Sequence, residues 1–313
     1  MNKFFISIFS AILIGILFAV IIIVRNEYGL SIGMNNEVVE NNGEEKIDPT
    51  FISKFSRVFI YNSKDNLIDS NYNDDFIPDI PSEILSTAYI VYDIDNEKTK
   101  IEKNANKLLP IASLTKLATA VIAKRLIEEN KRIEITKKVL AIEGNTAKFR
   151  LGEKFNKDEL LYPLLMVSSN DAGEALALAY GRVEFIKKMN DWASAIGAYR
   201  TYFYDPSGLS PKNVSTARDI AIMIEWIKNN EKEILDITLT QTKMVRTHTW
   251  TNPNHLLNLS AYKGGKNGYI AEAGLTSVSL FNIGSPSKLY AVVLLGSKDR
   301  SRDTLSILNK VVK

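Results

Sequence analysis

The sequence predicts an α/β (α+β) domain, a mainly antiparallel sheet flanked by helices with a helical subdomain beside it, behind an N-terminal transmembrane helix. Three observations predict this. Alternating, β-branched strand patterns occur at both ends of residues 85–313, and helical periodicity fills the middle. A sheet whose strands come from both chain ends pairs its edges late and is mainly antiparallel. An uncharged stretch of bilayer-spanning length precedes the domain.

That stretch, "FFISIFSAILIGILFAVIIIV", runs from Phe4 to Val24. No small-residue cleavage site follows it; Arg25, Asn26 and Glu27 come next. Residues 1–25 are therefore expected to form an uncleaved anchor rather than a signal peptide, crossing the membrane through residues 4–24. Lys3 would stay in the cytoplasm and the rest outside, making a single-pass protein of the cell membrane. Residues 26–84 are expected to form an acidic, polar stalk: "GMNNEVVENNGEEKIDPT" has the composition of a flexible segment. Within it "FISKFSRVFIY" is an apolar patch that fits no single element.

The compact domain is expected over 85–313. "TAYIVYDIDNEKTKIEK" reads as strand, turn, strand, with Asp95–Lys98 as the turn. Helices are expected from Leu114, from Lys157, from Asp171, over "VEFIKKMNDWASAIG" and over "ARDIAIMIEWIKNN". "GLTSVSLFNIG" and "KLYAVVLLGSK" return to strand, and "DTLSILNKVV" is a last helix.

Composition narrows the chemistry. Without cysteine there is no thiolate catalysis and no Cys-ligated metal. The two histidines, His248 and His255, match no metal-ligand spacing, so no metal or other cofactor is expected, and any hydrolase base must be something else. Residues 1–80 hold 6 basic and 11 acidic residues, leaving 33 and 25 for the remainder. That surplus is spread along helices rather than clustered with aromatics, which argues against a nucleic-acid partner.

Three S-x-x-K patterns occur: Ser113–Lys116, Ser260–Lys263 and Ser285–Lys288. Only Ser113 opens an apolar helix, where the hydroxyl is held rigidly one turn from the amine. Backbone N–H groups at such a helix start can stabilise an oxyanion. "MVSSNDA" adds Ser168 and Asn170 in an S-x-N pattern, and "YKGGKNGYI" places Lys266 before Asn267 and Gly268 at an expected strand start. The order S-x-x-K, S-x-N, K-x-G is far more specific than any one of its parts.

In these motifs the chain resembles the low-molecular-mass D-alanyl-D-alanine carboxypeptidases of the serine penicillin-binding type, over roughly residues 84–310. "FYDPSGLS", "STARDIA", "TNPNHLLN" and "AEAGLTSVS" extend the resemblance. It implies a β-lactamase/DD-peptidase-like fold and hydrolysis of peptidoglycan stem peptides outside the membrane, with β-lactam antibiotics as inhibitors. It further implies Ser113 as nucleophile, Lys116 as its base and Ser168 as proton relay. Asn170, Lys266, Asn267 and Tyr269 would bind substrate. An arginine near the chain end, Arg302 with Arg300 as the alternative, would hold the terminal carboxylate. The backbone N–H groups of Ser113 and Tyr269 would form the oxyanion hole.

The residues make chemical sense on their own terms. Without histidine, a neutral lysine must take the serine proton, and burial or a second cation such as Lys266 lowers a lysine pKa. Two departures stand out: Asn267 replaces the family's usual threonine, and Ile270 follows Tyr269 where threonine is usual. The sequence ends at Lys313, where the family often adds a β-rich domain, so attachment is expected from the N-terminal segment. A D,D-endopeptidase on cross-links would use the same residues. A class A β-lactamase needs a Glu-bearing loop, and Asp205-Pro-Ser-Gly stands there instead. A catalytically silent wall-binding relative is the rival from another class, with little reason to retain these serines and lysines together.

Overall fold

The computed structural model describes residues 83–312, apart from Asn145, Ser285 and Pro286. The expected membrane segment and all but the last two residues of the expected stalk lie outside the described residues. Among those described, no helix is long and apolar enough to cross a membrane.

β1 (Ala88–Asp93) and β2 (Lys98–Lys103) form the expected hairpin, and the two-residue β3 (Leu109–Pro110) follows. A 3-10 turn at Ala112–Leu114 runs directly into α1 (Thr115–Leu126). Next come β4 (Ile133–Glu134), α2 (Lys137–Leu140) and β5 (Lys154–Phe155). The helical block continues with α3 (Lys157–Met166), α4 (Asn170–Tyr180) and α5 (Arg182–Ala195). β6 (Val214–Ser215) precedes α6 (Ala217–Asn230) and α7 (Lys232–Thr238). A hairpin of β7 (Thr242–Val245) and β8 (His248–Thr251) leads to β9 (Tyr262–Ile270), β10 (Gly274–Ile283) and β11 (Lys288–Ser297). α8 (Arg300–Val312) is last.

The main sheet has five strands in the order β2-β1-β11-β10-β9, all antiparallel. Its late closure is as expected: β1 pairs with the last strand, Ala88 opposite Leu295. Both faces are covered, which is why β11 reads as a continuous apolar run rather than an alternation. Ala291, Val293 and Leu295 face the helical block, while Tyr290, Val292 and Leu294 face a second cluster with Leu305, Ile307 and Leu308 of α8. Helix ends are set by local side chains. Asn156 and Glu159 form a reciprocal capping box on α3, and Thr216 caps α6.

β9 differs from expectation. It begins at Tyr262, so Lys266 sits mid-strand rather than at a strand start. The pair Gly264–Gly265 allows a close approach. A Cβ on Gly265 would fall 2.1 Å from the Val278 carbonyl oxygen of β10.

Candidate active site

Ser113 lies in the 3-10 turn at the entrance to α1 and is the only residue of 111–120 that is not buried. The turn is strained: Ala112 has φ +49°, a left-handed value rare for a residue with a Cβ. One turn on, Lys116 is 0% exposed. Its Nζ lies 2.8 Å from Ser113 Oγ, 2.7 Å from Asn170 Oδ1 and 2.6 Å from the Ser207 carbonyl oxygen. Burial pushes the Lys116 amine well below the usual lysine range, and Lys266 lowers it further against the opposing charges of Asp205 and Asp171.

Ser168 stands between α3 and α4 with φ +58°, a second strained position. It accepts a hydrogen bond from Lys266 Nζ at 3.0 Å, and the same amine donates to the Asn267 carbonyl at 2.8 Å. Burial, then the Arg300 guanidinium, pulls the Lys266 pKa down to about 7. The two lysines thus divide the serines: Lys116 contacts Ser113, and Lys266 contacts Ser168.

β9 is an edge strand, and the turn bearing Ser113 packs against it. The junction requires a glycine: a Cβ on Gly268 would sit 2.7 Å from the Ser113 nitrogen and 2.6 Å from Thr276 Oγ1. Thr276 Oγ1 donates to the Ile111 carbonyl at 3.1 Å, tying the sheet to the turn. Tyr269, the next residue on β9, is 65% exposed.

A loop that the sequence motifs do not assign to the site completes it. Asp205 Oδ1 accepts from the Ser207 and Gly208 nitrogens, both at 2.7 Å, and from Ser207 Oγ at 2.8 Å. Its Oδ2 accepts from the Ser210 nitrogen and from Asn213 Nδ2. Those donors hold the Asp205 carboxyl below the usual range despite its burial. The ring of bonds fixes the Ser207 carbonyl against Lys116 and the Pro206 carbonyl against Thr119 Oγ1. The signal in the sequence is the Asp-Pro-Ser-Gly turn, whose aspartate bonds its own following backbone. Asp171 is likewise absent from the motif reading. It is 0% exposed, neither carboxylate oxygen has a hydrogen-bond partner, and burial raises its pKa to about 6 against the Lys116 charge.

One expectation needs correction. Arg302 is not brought to the site; its guanidinium lies 3.8 Å from Glu83 Oε2. Arg300 instead lines a cleft with Ser168, Lys266 and Asn267. Residues two apart on a helix project to nearly opposite faces, so α8 can present only one of the two arginines to β9. Asn170 is brought to the site beside Lys116. Its Oδ1 accepts from Lys116 Nζ and one N–H of its Nδ2 donates to the Glu143 carbonyl at 2.9 Å, so the amide buttresses the lysine while its second N–H can still serve a ligand.

The family profile described as D-alanyl-D-alanine carboxypeptidase, Peptidase S11, matches residues 75–298. The chain is 32% identical over 245 residues to a D-alanyl-D-alanine endopeptidase of Haemophilus influenzae, covering 74% of this chain and 83% of that one. Its fold is similar to the crystal structure of a D-alanyl-D-alanine carboxypeptidase from Mycobacterium tuberculosis, with TM-score 0.67, 25% identity, and 75% and 93% of the two chains covered. Penicillin-binding protein D2 of Listeria monocytogenes, in its cefotaxime-bound form, matches with TM-score 0.67 at 24% identity over 76% of this chain and 100% of that one.

Proposed function

From the premise that this chain belongs to the Peptidase S11 family of serine-type D-alanyl-D-alanine peptidases, we propose that it hydrolyses D-Ala-D-Ala bonds of peptidoglycan stem peptides through an acyl-enzyme on Ser113. One observation carries the reading. Lys116 is fully buried, and two of its three polar contacts, Asn170 Oδ1 and the Ser207 carbonyl, have no proton to give. A neutral amine has two protons and one lone pair. The protons go to those two oxygens, which leaves the lone pair for the Ser113 hydroxyl.

Ser113 Oγ attacks the D-alanyl carbonyl carbon as its proton passes to Lys116. The oxyanion is met by the backbone N–H groups of Ser113 and Tyr269. As the C–N bond breaks, the leaving amine takes a proton through Ser168, backed by Lys266. Water then adds to the ester and releases Ser113. The free edge of β9 offers backbone groups to an extended peptide, the way strands are commonly added to sheets. Asn267 and Arg300 hold the leaving residue's carboxylate. Asparagine substitutes an N–H donor for the family's usual hydroxyl.

The leaving residue is a terminal D-alanine in the carboxypeptidase reading. A second reading, cross-link cleavage, is supported by the endopeptidase of Haemophilus influenzae. A labelled penicillin is expected to acylate Ser113 alone, as mapped on peptides. Label on Ser260, or label persisting in Ser113→Ala, would reject the assignment.

Carboxylate recognition has its own test. A charge-assisted hydrogen bond contributes about 1.5–3 kcal/mol, so amidating the substrate's C-terminus should lower kcat/KM roughly ten- to a hundredfold. Equal turnover of acid and amide would remove Arg300 and Asn267 from substrate binding. We also propose that residues 4–24 hold the domain at the outer face of the cell membrane, on their uncharged length. Intact mass of membrane-extracted protein should include them, and a mature chain starting after residue 25 would overturn this.

A further inference from the structure

The oxyanion hole is assembled from two elements. Ser113 gives its N–H from the 3-10 turn and Tyr269 gives one from β9, so the hole is only as well fixed as the contact between turn and strand. Two glycines bring backbone directly against that turn. A Cβ on Gly208 would fall 1.9 Å from the Ala112 carbonyl oxygen, and a Cβ on Gly268 would fall 2.7 Å from the Ser113 nitrogen.

The third contact is a side chain. Thr276 of β10 is 0% exposed and stands opposite Gly268 in the β9–β10 register. A Cβ on Gly268 would lie 2.6 Å from Thr276 Oγ1, so the missing side chain is what lets the hydroxyl reach the turn. There it donates to the Ile111 carbonyl at 3.1 Å. That carbonyl also accepts from the Leu114 nitrogen at 3.2 Å, so Thr276 adds a second bond rather than rescuing an orphaned group.

The pinned carbonyl belongs to the peptide that leads into Ala112, whose φ is +49°. A residue with a Cβ keeps such a φ only where its surroundings hold it there. Relaxation of Ala112 to negative φ would rotate the next peptide, and that peptide carries the Ser113 N–H. A bond fixing the Ile111 carbonyl opposes this rotation.

We propose that Thr276 is a positioning residue of the oxyanion hole: its hydroxyl keeps the Ser113 N–H aimed with that of Tyr269, and so sets how strongly the acyl carbonyl oxygen is held. The proposal rests on the reading of Ser113 as nucleophile given above.

The test compares the full parent chain with Thr276→Val, which keeps the shape without the hydroxyl, and Thr276→Ser, which keeps the hydroxyl. A penicillin carrying ¹³C at its β-lactam carbonyl acylates each protein, and the ester carbonyl band is read by infrared difference spectroscopy. A carbonyl held by weaker hydrogen bonds absorbs at higher frequency. Thr276→Val should acylate roughly ten- to a hundredfold more slowly, less than or up to the loss on deleting one oxyanion donor, with its band moved to higher frequency. The acid limb of its pH profile should stay in place, because the contacts of Lys116 are untouched. Thr276→Ser should return both rate and band towards the parent. Thr276→Cys, a weak donor, should fall between, and it decides the matter if the valine variant does not fold. A parent-like rate, a slow variant with an unmoved band, a shifted acid limb, or a serine variant as impaired as valine would each overturn the role of Thr276 alone. If the parent carries no label on Ser113, the nucleophile reading fails and this proposal with it.

Discussion

Replacing Lys116 with alanine is expected to slow acylation of Ser113 by roughly 10³-fold or more, because among the described residues no other group contacts the serine hydroxyl as a base. The variant also leaves Asn170 Oδ1 and the Ser207 carbonyl without their donor. Leaving a buried polar group unsatisfied costs about 1–3 kcal/mol, offset by no longer burying an amine. A thermal midpoint near that of the parent would therefore assign the lost rate to chemistry, and Lys116→Met, which keeps the volume, controls for the cavity. A near-parent acylation rate in both variants would mean another residue is the base.

The pH profile carries the same argument with a definite sign. The base works only when neutral, so activity belongs to the high-pH side of the Lys116 pKa and disappears as pH falls through it. Burial and Lys266 set that pKa well below the ordinary lysine range. Lys266 itself takes up a proton at about 7, and below that pH its charge weighs on the same cavity. That charge holds the Lys116 pKa down, so Lys266→Met, which removes it, should move the acid limb of acylation to higher pH. The check is acylation rate against pH for both proteins, and an acid limb that moves to lower pH would sink the electrostatic account.

Much of this site is legible in the amino-acid sequence. The spacing of Ser113 and Lys116 is a helical turn, and a helical turn brings two side chains together wherever the helix lies. The hairpin of β1 and β2 and the long helices follow from periodicity for the same reason, since local pattern decides local structure. What is not legible depends on rotation or on distant partners. Arg300 and Arg302 are equivalent in composition and spacing; only the packing of α8 against the sheet decides which one faces β9. Asn170 has the right chemistry for a ligand donor, but that one of its N–H groups meets the Glu143 carbonyl, 27 residues away, has no local signal. Asp171 reads as an ordinary first-turn carboxylate, and burial against the helical block is what makes it unusual. The glycine in β9 that lets β10 approach closely, Gly265, carries no local signal of that neighbour.

Gly208→Ala is expected to produce the largest change from the smallest substitution. Gly208 has φ +85°, and a Cβ there would fall 1.9 Å from the Ala112 carbonyl oxygen and 2.3 Å from its carbon. Both are backbone atoms of the turn that carries Ser113, so no side chain can swing aside. Ala112 already sits at φ +49°, and Gly208 is tied down by its bond to Asp205. The turn must therefore shift away from the loop, taking the nucleophile with it. A misplacement of about 1 Å costs on the order of 10²-fold in rate. Left-handed backbone in an alanine costs about 1–2 kcal/mol and overpacking about 1–3 kcal/mol more. Gly152→Ala separates the two contributions: its φ is +83°, and nothing lies within 4 Å of its Cβ. That variant should lose only the dihedral share of stability and acylate at the parent rate, while Gly208→Ala loses both stability and rate. Thermal midpoints and penicillin acylation rates for the pair decide the matter. Parent-like acylation in Gly208→Ala would show that the loop does not set the position of Ser113.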